Sequence, residues 1–166
     1  MEFAALVWLF AAAVTAHNVE EALFLPAWSR RAGRWAAPVG AFEFRFAVAV
    51  LTLFAYVGAA WAAIGGMAGA YLVCGYALAM AANAFVPHVF ATLSLRRYVP
   101  GTATGLLLNL PIGVATIAAA TAEGRIAWPT FVWSGPAVAV GLVAAIPALF
   151  SLGRALGRRL GKGLSC

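Results

Sequence analysis

Aspartate is absent from this 166-residue chain, and only 10% of its residues are charged. A soluble domain carries about a quarter charged residues, so the composition excludes one. With 64% of its residues hydrophobic, the chain reads as an integral membrane protein. Cysteine is scarce as well: Cys74 lies in an apolar run and Cys166 is the last residue. These two positions make neither a disulfide framework nor a zinc pair, and a prenylation box needs residues beyond its cysteine. A basic leader is missing too. Glu2 has the wrong charge for a signal peptide, and the first apolar run continues past Val14-Thr15-Ala16, the one stretch resembling a cleavage site. The first span is therefore expected to be retained.

At roughly 20 residues per span, the length accommodates about five spans and leaves no room for a water-soluble catalytic domain. The net charge of +6 comes from basic residues in short loops, not from a contiguous stripe. They read as topology signals, and no nucleic-acid partner is expected.

The sequence predicts an all-α, polytopic membrane helical bundle: a single transmembrane domain over 1–166. Its five spans fall at about 3–25, 39–64, 67–95, 102–121 and 129–152, followed by a basic tail over 153–166. Pro26 is expected to close the first span, Gly65-Gly66 to form the second turn and Pro100-Gly101 the third. With five spans, one face receives Arg30, Arg31, Arg34, Arg45, Arg96, Arg97 and the tail residues Arg154, Arg158, Arg159 and Lys162; the other receives Arg125. The positive-inside rule then places the N-terminus outside and the C-terminus in the cytoplasm. The tail is expected to anchor to anionic lipid.

The polar residues converge in depth. His17-Asn18-Val19-Glu20-Glu21 lies inside the first span, where carboxylates and an imidazole are costly unless they are used. At a rise of about 1.5 Å per residue, Glu21 and His17 stand roughly 8 and 13 Å from the cytoplasmic end. His88 and Asn109 stand about 12 Å in, and Glu43 about 6 Å in. His17, Glu20 and Glu21 share one arc of their helix, whereas Asn18 is turned about 100° away toward a different neighbour. Asn83 and His88, five positions apart, would be about 140° out of line on a regular helix. Pro87, which removes a backbone donor, allows a local kink or bulge that could realign them.

His17-x-x-Glu20-Glu21, followed by Asn83 and His88 and then Tyr98-x-Pro100-Gly101, resembles the HXXEE-domain family of bacterial membrane proteins. The resemblance covers the chain from the first span to the start of the fourth. The family spaces its Asn and His four apart, against five here. Its function is unknown, so the resemblance implies an enzyme-like membrane site without naming a reaction.

The candidate catalytic residues are His17, Glu20, Glu21 and His88, supported by Asn83, Glu43, Asn109 and Tyr98. His17 and Glu21, at i and i+4, form with His88 a two-histidine, one-glutamate set, the inventory of a catalytic site for one divalent metal, zinc or iron-like, with Glu20 left as general base. A carboxylate-bridged dinuclear site draws on four Glu, more than this layer holds. The expected function is metal-assisted hydrolysis or transfer on a small or lipid-like substrate in the bacterial inner membrane. The alternatives are metal-free acid/base isomerisation or cyclisation of an isoprenoid-like substrate, an ion or metal transporter, and a structural subunit. A homo-oligomer stays open.

The same residues have plainer readings. His88 could bond a carbonyl freed by Pro87, Glu43 and Arg45 could pair at the start of the second span, and Asn83 and Asn109 could join helices.

Overall fold

The computed structural model describes residues 1–33 and 37–163, with side chains to residue 160. Arg34 and Cys166 lie outside the described residues, and of Lys162 only the backbone is described. Five helices are long and apolar enough to cross a membrane, and no strand occurs among the described residues.

Helix α1 (Phe3–Ser29) buries Phe3, Val7, Phe10, Val14 and His17, which recur at alternating steps of four and three and so form one stripe. Glu21, four residues beyond His17, continues it. Pro26 does not close this helix, contrary to expectation; it lies inside the last turns. A proline cannot bond the carbonyl four residues back, here that of Ala22. Arg45 supplies the missing donor, its Nε bonding Ala22 O at 3.1 Å, so the helix need not stop.

Helix α2 (Ala41–Ala63) begins with Glu43 Oε1 accepting the Gly40 N–H at 3.2 Å, which satisfies a donor left free at a helix start. Glu43 and Arg45 therefore have separate partners and do not form the expected ion pair. Asn18 of α1 faces α2, donating to Thr52 Oγ1 at 2.7 Å and to Val48 O at 3.3 Å.

Helix α3 (Met67–Leu95) returns against α2 through small residues. A Cβ added to Gly69 would stand 2.6 Å from Ala62 N, so the backbones meet there directly. The helix is broken between Ala84 and Val89: Val86 takes the extended values φ −129° and ψ 112°, and the Val86–Pro87 peptide is cis. Helix α4 (Thr102–Ala122) opens with a widened π-helical turn over Gly105–Asn109.

Helix α5 (Trp128–Gly163) packs along α2 and α3 on the outside of the bundle. It runs on well beyond 152, so most of the expected tail continues the helix. Gly153 explains part of this: it packs on the Glu43 backbone, where a Cβ would lie 2.9 Å from Cα.

Helix α1 packs against α2 and α4, and α3 packs against α2 and α4 in turn. The ends differ in charge. One carries Arg30, Arg31, Arg96, Arg97, Arg154, Arg158 and Arg159; the other carries Glu2, Glu123 and Arg125. At this second end Glu123 Oε1 accepts the Phe3 N–H at 2.7 Å, placing an acid at the positive end of α1.

Candidate functional site

The buried stripe of α1 ends in polar chemistry. His17 follows Val14 on it and is 1% exposed; Glu21, one turn later, retains 13% exposure. Across from them the break in α3 turns His88 inward, where it too is 1% exposed. The imidazole rings meet edge to face, with centroids 5.2 Å apart and planes at 86°.

Glu21 lies between the two rings. Its Oε1 is 3.1 Å from His88 Nε2 and its Oε2 is 3.7 Å from His17 Nε2. The His88–Glu21 approach is short but not aligned as a hydrogen bond, and both nitrogens of His88 are buried without a hydrogen-bond partner. Two orphaned nitrogens on one buried ring are costly, about 1–3 kcal/mol each. One ligand atom from each of His17, Glu21 and His88 lies within 4.8 Å of the others. Tetrahedral zinc with bonds of about 2.0–2.1 Å separates its ligand atoms by about 3.3 Å. Glu21 reaches the two rings through different oxygens, at 3.1 and 3.7 Å, and the three ligand atoms together span up to 4.8 Å, wider than that value, so ligation would draw them closer. These are the three side chains of the cluster that could hold a divalent ion.

Asn83 joins the same cluster. Its Nδ2 is 3.3 Å from His17 Nε2, because the extended backbone at Val86 brings Asn83 and His88 to one side despite their five-residue spacing.

Glu20 does something different. Its Oε1 accepts the Tyr98 hydroxyl and, at 3.0 Å, the Gly101 N–H; its Oε2 accepts the Thr104 hydroxyl at 2.7 Å. Tyr98 Oη also accepts the Ala103 N–H at 3.1 Å. Expected as a general base, Glu20 instead gives both oxygens to the α3–α4 turn and holds it against α1. Tyr98 carries a raised pKa, from burial first and from its bond to Glu20 second.

That turn closes over the imidazoles. Gly101 has φ +95°, and a Cβ on it would lie 2.6 Å from His88 Cε1 and 2.9 Å from His17 Cε1. Only glycine suits both the backbone and the space. The Pro-Gly pair marks Gly101 in the sequence only as a turn residue, and Thr104 stands in no motif. Thr104 Oγ1 stands 3.0 Å from His17 Nδ1.

Two expected members lie elsewhere. Glu43 caps α2, as described above. Asn109 is fully buried one turn along α4 from Gly105, and neither amide atom reaches a hydrogen-bond partner. Neither is hydrogen-bonded to His17, Glu21 or His88, so a similar depth does not by itself make a residue part of the cluster.

A cavity of about 170 Å³ adjoins the cluster between α1, α2, α3 and α5. Asn18, Glu21, Tyr76 and Asn83 form its polar end, and apolar side chains such as Phe44 and Ile146 form the rest.

Comparison with known proteins identifies a family. Residues 8–116, which contain His17, Glu20, Glu21, Asn83, His88 and Thr104, match the family described as "Protein of unknown function with HXXEE motif". The chain is also 37% identical over 153 residues to the uncharacterised protein YrkK of Bacillus subtilis strain 168, covering 89% of this chain and 94% of that one. No solved structure matches. The family match spans most of the chain and includes the whole cluster, and the chain belongs to the HXXEE-motif family.

Proposed function

We propose that the chain is an integral enzyme of the bacterial cytoplasmic membrane. In this reading one divalent metal is held by His17, Glu21 and His88, and the reaction is hydrolysis or transfer on a lipid-like substrate. The observation that carries it is His88, a buried imidazole with both nitrogens unpartnered, facing a carboxylate and a second imidazole whose ligand atoms lie within 4.8 Å. A bound ion would offset the cost of burying these groups. It would also supply Lewis acidity and lower the pKa of a coordinated water. The mostly apolar cavity beside Glu21 suits a hydrocarbon portion whose polar group reaches the metal.

The basic end of the bundle is assigned to the cytoplasm by the positive-inside rule, with the N-terminus outside. The site then lies in the cytoplasmic half. Transport is the weaker reading, because beyond His17 the buried stripe of α1 is Val14, Phe10, Val7 and Phe3, without a polar step for an ion. Metal-free acid/base chemistry on an isoprenoid-like substrate is the second reading. Glu21 favours it by keeping some exposure toward the apolar cavity with two imidazoles beside it.

The test is a comparison of wild type with Glu21→Gln, each incubated with a total membrane-lipid extract with and without divalent metal, and read by lipid mass spectrometry. The proposal expects a lipid species converted by wild type only when metal is added. Conversion that ignores a chelator supports the acid/base reading. Conversion of no lipid by a metal-loaded protein contradicts a lipid-like substrate.

A further inference from the structure

The two glutamates of the signature lie on one helix but engage different partners, and the difference fixes the protonation of His17. The hydroxyl of Thr104 has a single proton. It faces Glu20 Oε2 at 2.7 Å and, as the alternative acceptor, Gly101 O at 3.5 Å. A bond to a carboxylate is shorter and roughly twice as strong as one to a neutral acceptor, so the proton goes to Glu20. Thr104 Oγ1 is then an acceptor toward its other neighbour, His17 Nδ1 at 3.0 Å, and that nitrogen must carry hydrogen. At the opposite side of the ring the Asn83 amide donates to Nε2 at 3.3 Å, a contact that needs a bare lone pair. As placed, the Asn83 amide agrees with that tautomer, but by rotating it can serve either one, so Thr104 is the neighbour that fixes it.

We propose that Glu20, acting through Thr104, is the positioning residue that holds His17 as the Nδ1–H tautomer and so leaves Nε2 bare: its lone pair accepts from Asn83 in the metal-free protein and becomes the ligand atom once a metal displaces that amide, while Glu21 is the ligand carboxylate. Nε2 is the ring nitrogen that faces Glu21. In metal sites a ligating histidine characteristically donates its other N–H to an oxygen, which orients the ring and raises its basicity. Here a threonine hydroxyl stands between the imidazole and the carboxylate and passes on the polarisation without a charge touching the ring. The same carboxylate holds Tyr98 and Gly101, so docking of the α3–α4 turn and orientation of His17 are one event. The use of Nε2 as a ligand rests on the metal reading above; the tautomer does not.

The chain has two histidines, so an imidazole nitrogen spectrum of the full protein, purified without a histidine tag, contains two residues and is assigned with His88→Gln. In metal-free wild type the expected result is a protonated Nδ1 and a bare Nε2 on His17. Thr104→Ser keeps that tautomer, whereas Thr104→Val gives a mixed or Nε2–H ring and weakens divalent-metal binding by about 10- to 100-fold, the usual loss for an outer partner of a ligand. Glu20→Gln retains the metal stoichiometry of wild type and Glu21→Gln abolishes it. An Nε2–H ring in wild type, or an unchanged tautomer in Thr104→Val, overturns the proposal whether or not a metal binds. The expected tautomer in a protein that takes up no metal leaves the relay standing and removes the metal reading instead.

Discussion

His88 Nε2 stands 3.1 Å from Glu21 Oε1 across the interface of α1 and α3, yet neither nitrogen of His88 makes a hydrogen bond. The two groups are brought together by unrelated devices. Glu21 continues the stripe that buries α1, and His88 is swung inward by the extended backbone at Val86. Such convergence, unsatisfied within the protein itself, is the basis of the functional reading. Several consequences are measurable.

Gly101→Ala places a methyl 2.6 Å from His88 Cε1 on a residue with φ +95°. The backbone alone costs about 1–3 kcal/mol, and the clash must displace an imidazole as well. Thermal unfolding in detergent should show a clear loss of stability together with reduced metal uptake. At Gly105 a Cβ would meet Ala84 Cβ at 3.2 Å with an ordinary helical backbone, so Gly105→Ala should be milder in both assays.

Arg45 and Pro26 should be energetically coupled. Arg45→Ala leaves Ala22 O without the donor that now reaches it and is expected to cost about 0.5–1.5 kcal/mol. In a Pro26→Ala background the restored N–H at position 26 can bond that carbonyl, and the same Arg45 substitution should cost less. A double-mutant cycle by unfolding in detergent reads the coupling, and additive effects would contradict it.

Tyr98 lies between the spans and titrates above its ordinary value of 10.0, through burial and then through the bond it donates to Glu20. A folded pKa above the unfolded one means the neutral phenol is favoured by folding. Its contribution is therefore complete below pH 10 and is lost as pH rises through the folded value. Unfolding midpoints of wild type should fall toward those of Tyr98→Phe as pH rises above 10, with the gap widest below it. A gap that grows with alkalinity would contradict the assignment.

How far the sequence carried differs by residue. Helical periodicity sufficed to put His17 and Glu21 on one face, and to turn Asn18 toward another helix, because α1 is regular through that stretch. Length and composition sufficed for five helices able to span a membrane. The junction of Asn83 with His17 required the backbone of Val86, a tertiary consequence of a proline whose direction no spacing rule supplies. Glu43 and Asn109 show the limit of depth, since residues at a similar level need not bond to the cluster. Thr104 and Gly101 were out of reach because their roles arise where the α3–α4 turn folds back on α1, a contact made across more than eighty positions of chain. Pro26 failed as a stop signal because Arg45, itself placed by another helix, took up the freed carbonyl.

The central claim is that His17, Glu21 and His88 hold one divalent metal, and metal content tests it most directly. Detergent-purified protein free of a histidine tag, supplemented with divalent metals and desalted, is analysed by plasma mass spectrometry beside His17→Ala, His88→Ala and Glu21→Gln. The account predicts about one equivalent in wild type and its loss in each folded variant. Wild type that stays metal-free after supplementation, or variants that bind as wild type does, would contradict it.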